Sequence, residues 1–136
     1  MNEAIVIGAD HHNTLGVIRA LGRTGVPLRL ILVPAEKHSF VAASRYIDET
    51  VMIHSESELP SVLSDIRKDI GHKNPVVLFS CSDKVSAVLD HNRIALESEG
   101  YFVPGTVDPR GLEYWMDKQV MADVAVASGL NASFRC

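Results

Sequence analysis

The sequence predicts an α/β fold, a three-layer sandwich in which a mainly parallel sheet of about five strands lies between helices. Short apolar runs, among them Ala4 to Ile7, Pro27 to Val33 and Pro75 to Phe79, alternate with segments whose apolar residues recur at helical spacing. Strands that alternate with helices pair in parallel, with helices on both faces of the sheet. Pro75 to Phe79 is a continuous apolar run, without the polar alternation of a half-wet sheet, as a strand buried on both sides requires.

The first unit is clear in Ala4 to Val26. An apolar run closed by Gly8 reads as a buried strand, and Asp10, His11, His12 and Asn13 make a polar corner after it. The period then changes: Leu15, Ile18 and Leu21, with Val17 beside them, fall on one side of a helix, and Arg19, Ala20 and Arg23 on the other. Asn13 is placed to cap the first turn, and Gly25 to make a left-handed exit.

Pro27 to Val33 is the second strand, closed by Pro34, and Ala35 to Arg45 reads as a loop with a short helical turn. Glu49 to Ile53 is a brief third strand. From Ser57 the helical period returns, with Leu59, Val62, Leu63, Ile66 and Ile70 on one face. Pro60 is tolerated in the first turn, and Gly71 ends the helix. Pro75 to Phe79 is the next strand, and Ser80 to Asp83 the next corner. There Ser82 can cap a helix carrying Val85, Val88 and Leu89, with Asp83 at its positive end. Tyr101 to Val103 is a last short strand running into Pro104-Gly105, and Gly111 to Ser128 reads as one helix with Leu112, Trp115, Val120 and Val124 as its stripe.

Composition narrows the function. A chain of 136 residues is one domain, able to bury roughly 68% of its unfolded surface without metal or disulfide help. A net charge of −4 gives no electrostatic reason for binding nucleic acid or an anionic membrane. No basic region precedes the first apolar run, so it is not a secretion signal, and no run is long enough to span a bilayer. Cys81 and Cys136 do not make a disulfide framework, which favours a reducing, cytoplasmic setting.

Ligands of open α/β sheets sit at the carboxyl ends of the strands, so the corner from Gly8 to Asn13 is the first candidate site. Gly8 and Gly16 lack the second glycine of a dinucleotide fingerprint. His11 and His12 have no third ligand at useful spacing, so they read as solvated or substrate-facing imidazoles. The third strand ends Ile53-His54-Ser55 without the aspartate of a phospho-acceptor domain. Cys81 lies before a helix start, where a thiolate can be stabilised, but no base is near it in sequence, and a small residue at a tight strand end explains it as well. Ser82 and Asp83 serve either as helix cap or as ligand contacts. Arg45 sits in a loop, where it can hold a carboxylate or phosphate, or simply a surface ion pair.

The order of these segments resembles the N-terminal domain of ATP-grasp carboxylate–amine ligases, the group with carbamoyl-phosphate-synthase-like and D-aspartate-ligase-like members. The resemblance rests on Leu15 to Val26 after the first corner, on Ala43-Ser44-Arg45-Tyr46, and on Phe79 to Asp83 with its Ser-Asp pair. It extends to Met116-Asp117-Lys118-Gln119-Val120-Met121 followed by Ala127-Ser128-Gly129-Leu130. It implies a Rossmann-like domain over residues 1–110. It also implies chemistry in which ATP and Mg2+ convert a carboxylate to an acyl phosphate that an amine then attacks. Lys118 would touch the nucleotide. The substrate side would be Gly8, Asp10, His11, His12 and Asn13 with Ser82 and Asp83, joined by Arg45.

In the family two α+β lobes follow, carrying the groups that neutralise phosphate charge, so this chain is expected not to ligate alone and to hold no nucleotide or metal tightly. Residues 111–136 would be a helix and the start of the linker to those lobes. That helix carries Leu112, Trp115, Met116, Val120, Met121 and Val124, an arc broader than one docking face, which leads to the expectation of a homodimer through it and of order after Gly129 only where that contact exists. Two other readings are an α/β module that binds a small anion or nucleotide at its strand ends, and an interaction domain whose C-terminal helix docks on a partner.

Overall fold

The structure, a computed structural model, describes residues 2–105 and 108–130. The chain divides into two compact units, Met1–Pro104 and Gly105–Cys136.

In the first unit the strands are β1 (Glu3–Gly8), β2 (Leu28–Leu32), β3 (Glu49–Met52), β4 (Val76–Ser80) and β5 (Tyr101–Phe102), and the helices are α1 (His12–Gly22), α2 (Leu59–Ile70), α3 (Asp83–His91) and α4 (Arg93–Ser98). All five strands are parallel, in the order β3-β2-β1-β4-β5. This is a Rossmann-like sandwich, and the continuous apolar runs explain it. Alternate residues of each central strand face opposite layers. Ile5, Ile7, Ile31 and Leu78 pack with Leu59, Leu63 and Ile66 of α2, with Val85 and Leu89 of α3, and with Leu96 of α4. Val6, Leu28, Leu30 and Leu32 point the other way, onto Ile18 of α1 and onto Val41. At about 25 cal/mol per Å² of apolar surface, burial on both faces is the main stabilisation of such a sheet.

Several boundaries differ from the sequence reading. The cap of α1 is His11, not Asn13: the His11 Nδ1 accepts from the Asn13 N–H at 3.2 Å, which places Asn13 inside the first turn. Gly25 does take a positive φ, 77°, after the helix. The connection from β2 to β3 is built of turns, such as Ser44 N–H to the Val41 carbonyl at 3.1 Å, with no helix in it. The helix after Ser82 stops at His91; Asn92 leaves helical geometry and α4 starts anew.

Arg67, on α2, is 2% exposed. Its Nε donates to the Glu99 carbonyl at 2.8 Å and its Nη2 to the Asn74 carbonyl at 2.7 Å. The guanidinium also lies 5.4 Å from the centre of the Tyr101 ring, whose hydroxyl donates to the Leu63 carbonyl at 2.7 Å. Burial pushes the Tyr101 hydroxyl far above its ordinary pKa, so it stays a donor. Gly100 must be glycine here: its φ is 89°, and a Cβ would stand 2.5 Å from the Arg67 Nη2.

In the second unit the single helix expected over Gly111 to Ser128 is two, α5 (Gly111–Met116) and α6 (Lys118–Ala127). Asp117 between them is extended, with φ −69° and ψ 123°, and its carboxylate accepts from Gln119 N–H at 2.8 Å and Val120 N–H at 3.0 Å. An N-cap side chain thus interrupts an apolar period that reads as continuous. Before α5, Asp108 accepts from the Arg110 backbone and guanidinium, which holds its carboxyl well below the usual range, and Arg110 stacks on Tyr114 and Trp115 at 4.7 and 4.5 Å. Met121, Val124 and Val126 of α6 are exposed. Residues 131–136, with Cys136 and most of the tail after Gly129, lie outside the described residues. Among the described residues no helix is long and apolar enough to cross a membrane.

Candidate functional site

The strand order fixes where a ligand crevice can form. From β1 the chain passes through α1 to β2 and on to β3 on one side, then crosses by α2 to β4 on the other side of β1. The order therefore reverses between β1 and β4, and the carboxyl ends of those strands are where open α/β sheets hold their ligands. The two corners singled out by sequence meet there. Ile7 pairs with Ser80, and the Cys81 N–H donates to the Ile7 carbonyl at 2.9 Å. A Cβ on Gly8 would lie 2.5 Å from the Thr14 hydroxyl oxygen and 2.8 Å from the Cys81 Cβ. Glycine is what lets the corners close.

Each corner starts a helix. At α3 the Ser82 hydroxyl oxygen accepts from the Val85 N–H at 3.2 Å, and Asp83 opens the first turn. Ser80 Oγ donates to the Ser82 carbonyl at 2.9 Å and lies 2.7 Å from Ser86 Oγ, which fixes the corner. At α1 the cap is His11, as above. His11, His12, Asn13, Ser82 and Asp83 are all exposed. The positive ends of both helices thus open on solvent at the adjacent carboxyl ends of β1 and β4, and a helix start favours a negative group.

Asp10 has a structural task. Its Oδ1 accepts from Ser39 Oγ and from the Val41 N–H at 3.1 Å, and Ser39 Oγ in turn accepts from the Ala42 N–H at 2.9 Å. It thereby straps the β2–β3 connection to the β1 corner. The His12 ring lies 5.5 Å from that of Phe40 on this strap. Cys81 is half-buried, and burial raises its thiol pKa more than a hydrogen bond with Thr14 lowers it. It packs against the core cluster of Val6, Ile18 and Leu30, which favours the reading of a small residue at a tight strand end.

Arg45 is elsewhere. It belongs to a depression of about 440 Å³ on the flank of α1, lined by Leu15, Arg19 and Arg23 of the helix and by Phe40 and residues 43–46 of the strap. None of the lining residues comes from Gly8–Asn13 or Ser80–Asp83. Periodicity marks Arg19 and Arg23 only as the solvent face of α1. Their i,i+4 spacing was the available signal. Lys118 is exposed and opens α6 in the second unit. Among the described residues no three His, Cys, Asp or Glu side chains converge where a metal ion can be held.

No family model and no curated protein sequence matches this chain.

Proposed function

We propose that this chain is the substrate-side domain of an ATP-dependent carboxylate–amine ligase. The observation that carries the reading is the meeting of the Gly8–Asn13 and Ser80–Asp83 corners at the β1/β4 reversal, joined by the Cys81–Ile7 hydrogen bond. Those are the corners that the resemblance assigns to the substrate. The free N–H groups at the starts of α1 and α3 orient a carboxylate, and the two helix dipoles favour its negative charge. Asp10 holds the strap in place beside it, while Asn13 and Asp83 border the opening.

ATP and Mg2+ would supply the phosphoryl group and its charge neutralisation from lobes outside these residues, with Lys118 contacting the nucleotide. What this domain contributes is position: a carboxylate held with its reactive oxygen toward the incoming phosphoryl group gains the advantage of an intramolecular reaction. A small-anion binding module shares the same crevice and the same helix starts but needs no further lobes.

The coding sequence downstream of codon 136 distinguishes the two. We expect it to encode two further α+β lobes carrying a Glu and an Asn as magnesium ligands, hard oxygen donors suited to that ion. A stop codon or an unrelated domain there removes the ligase reading.

A further inference from the structure

The depression on the flank of α1 gathers three arginines in an acidic protein. The chain carries 17 Asp and Glu against 13 Lys and Arg, yet among the described residues Arg19, Arg23 and Arg45 make no ion pair with a carboxylate. Arg19 and Arg23 are one helical turn apart and so project to the same side. Arg45 approaches from the strap, where its Nη2 donates to the Tyr46 hydroxyl oxygen at 3.1 Å and its guanidinium lies 5.1 Å from the Tyr46 ring centre. Arg45 and then Arg23 lower the Tyr46 hydroxyl pKa, so both cations face that oxygen.

The wall is built, not incidental. Tyr46 packs against the last turn of α1 so closely that a Cβ on Gly22 would lie 2.3 Å from its ring. Ser44 Oγ accepts from the Tyr46 N–H at 3.4 Å, which leaves its proton to donate. Phe40, 44% exposed, and Leu15 give the depression an apolar side. Its volume of about 440 Å³ is in the range of small-molecule sites. Three like charges held together without a counter-charge are repulsive, and a multiply charged anion relieves that repulsion.

We propose that this depression is a second binding site, separate from the β1/β4 crevice, for a small molecule bearing a phosphate group. Arg19, Arg23 and Arg45 take the phosphate oxygens, the Ser44 hydroxyl adds a donor, and Phe40 with Leu15 takes the organic part. Guanidinium–phosphate pairing is charge-assisted and geometrically matched. The site does not depend on the ligase reading.

The test is a titration of the isotope-labelled protein with inorganic phosphate and with phenyl phosphate, following backbone amides and arginine Nε–Hε signals by NMR. We expect shifts at residues 43–46 and at the Arg19, Arg23 and Arg45 side chains. Each Arg→Gln substitution should weaken binding about tenfold, as the loss of one charge-assisted contact does. Lys68→Gln, an exposed change on α2 away from both sites, should leave it unaltered. Tighter binding of phenyl phosphate identifies a phosphate ester as the occupant, and equal affinity identifies free phosphate. No shift at 20 mM of either ligand, shifts confined to the crevice corners, or unchanged affinity in all three variants would overturn the site. Binding of an oligonucleotide through these arginines where both small phosphates fail would do so too.

Discussion

Replacing Arg67 with alanine is expected to destabilise the first unit by about 3 kcal/mol, among the largest effects of any single polar substitution in it. The guanidinium donates to the Glu99 and Asn74 carbonyls, so it ties the end of α2 to the segments that lead into β4 and β5. Hydrogen bonds from a charged group are worth about 1.5–3 kcal/mol each, and removing the donor also leaves the carbonyls without it. The charge itself is held in the last turn of α2, where the helix dipole favours a cation, and over the Tyr101 ring. Arg67→Met separates packing from polarity, because it keeps the stem and loses both donors. Urea unfolding measures both. A loss below about 1 kcal/mol for alanine would mean that water replaces both contacts.

Gly8→Val is expected to cost about 3 kcal/mol, and the next glycine along the chain, Gly16, makes the control. At Gly8 even the first added carbon would overlap the Thr14 hydroxyl and Cys81, both part of the corner, so β1 and β4 must separate at their carboxyl ends. At Gly16 an added Cβ meets nothing within 4 Å, and the residue lies within α1. Gly16→Ala should therefore stabilise by about 0.5–1 kcal/mol, through the lower conformational entropy of the unfolded chain. Opposite signs in thermal or urea melts bear this out. A Gly8→Val protein as stable as the parent would contradict the close approach of the two corners.

How much of this was legible in sequence follows from which forces act locally. The strands from Ala4 and Pro75 are readable because a sheet buried on both faces demands unbroken apolar runs, and the run from Pro27 is interrupted only by Arg29. Ser82 was readable as a cap because its partner, the Val85 N–H, is three residues away. His11 was not: asparagine outranks histidine as a cap, and only the actual geometry brings Nδ1 to the Asn13 N–H. The break at Asp117 is hidden because Met116, Val120 and Val124 keep i,i+4 spacing across it. Arg67 shares the apolar side with Leu63 one turn earlier, but its acceptors are residues 74 and 99, brought to it only by the tertiary fold. The same reason separates Arg45 from the crevice residues with which it was grouped. Its neighbours Arg19 and Arg23 lie more than twenty residues back, on a face that periodicity marks only as polar.

The central claim is that the β1/β4 crevice takes a carboxylate. Its most direct test is an amide-resolved NMR titration with a panel of small amino and dicarboxylic acids, run in buffer free of phosphate. The largest shifts are expected on the amides of His12 and Thr14 at the start of α1, which the His11 cap leaves open, and of Asp83 and Lys84 at the start of α3, moving together with one affinity. Shifts confined to the opposite edge of the sheet, or no concerted response at the two helix starts with any member of the panel, would contradict it.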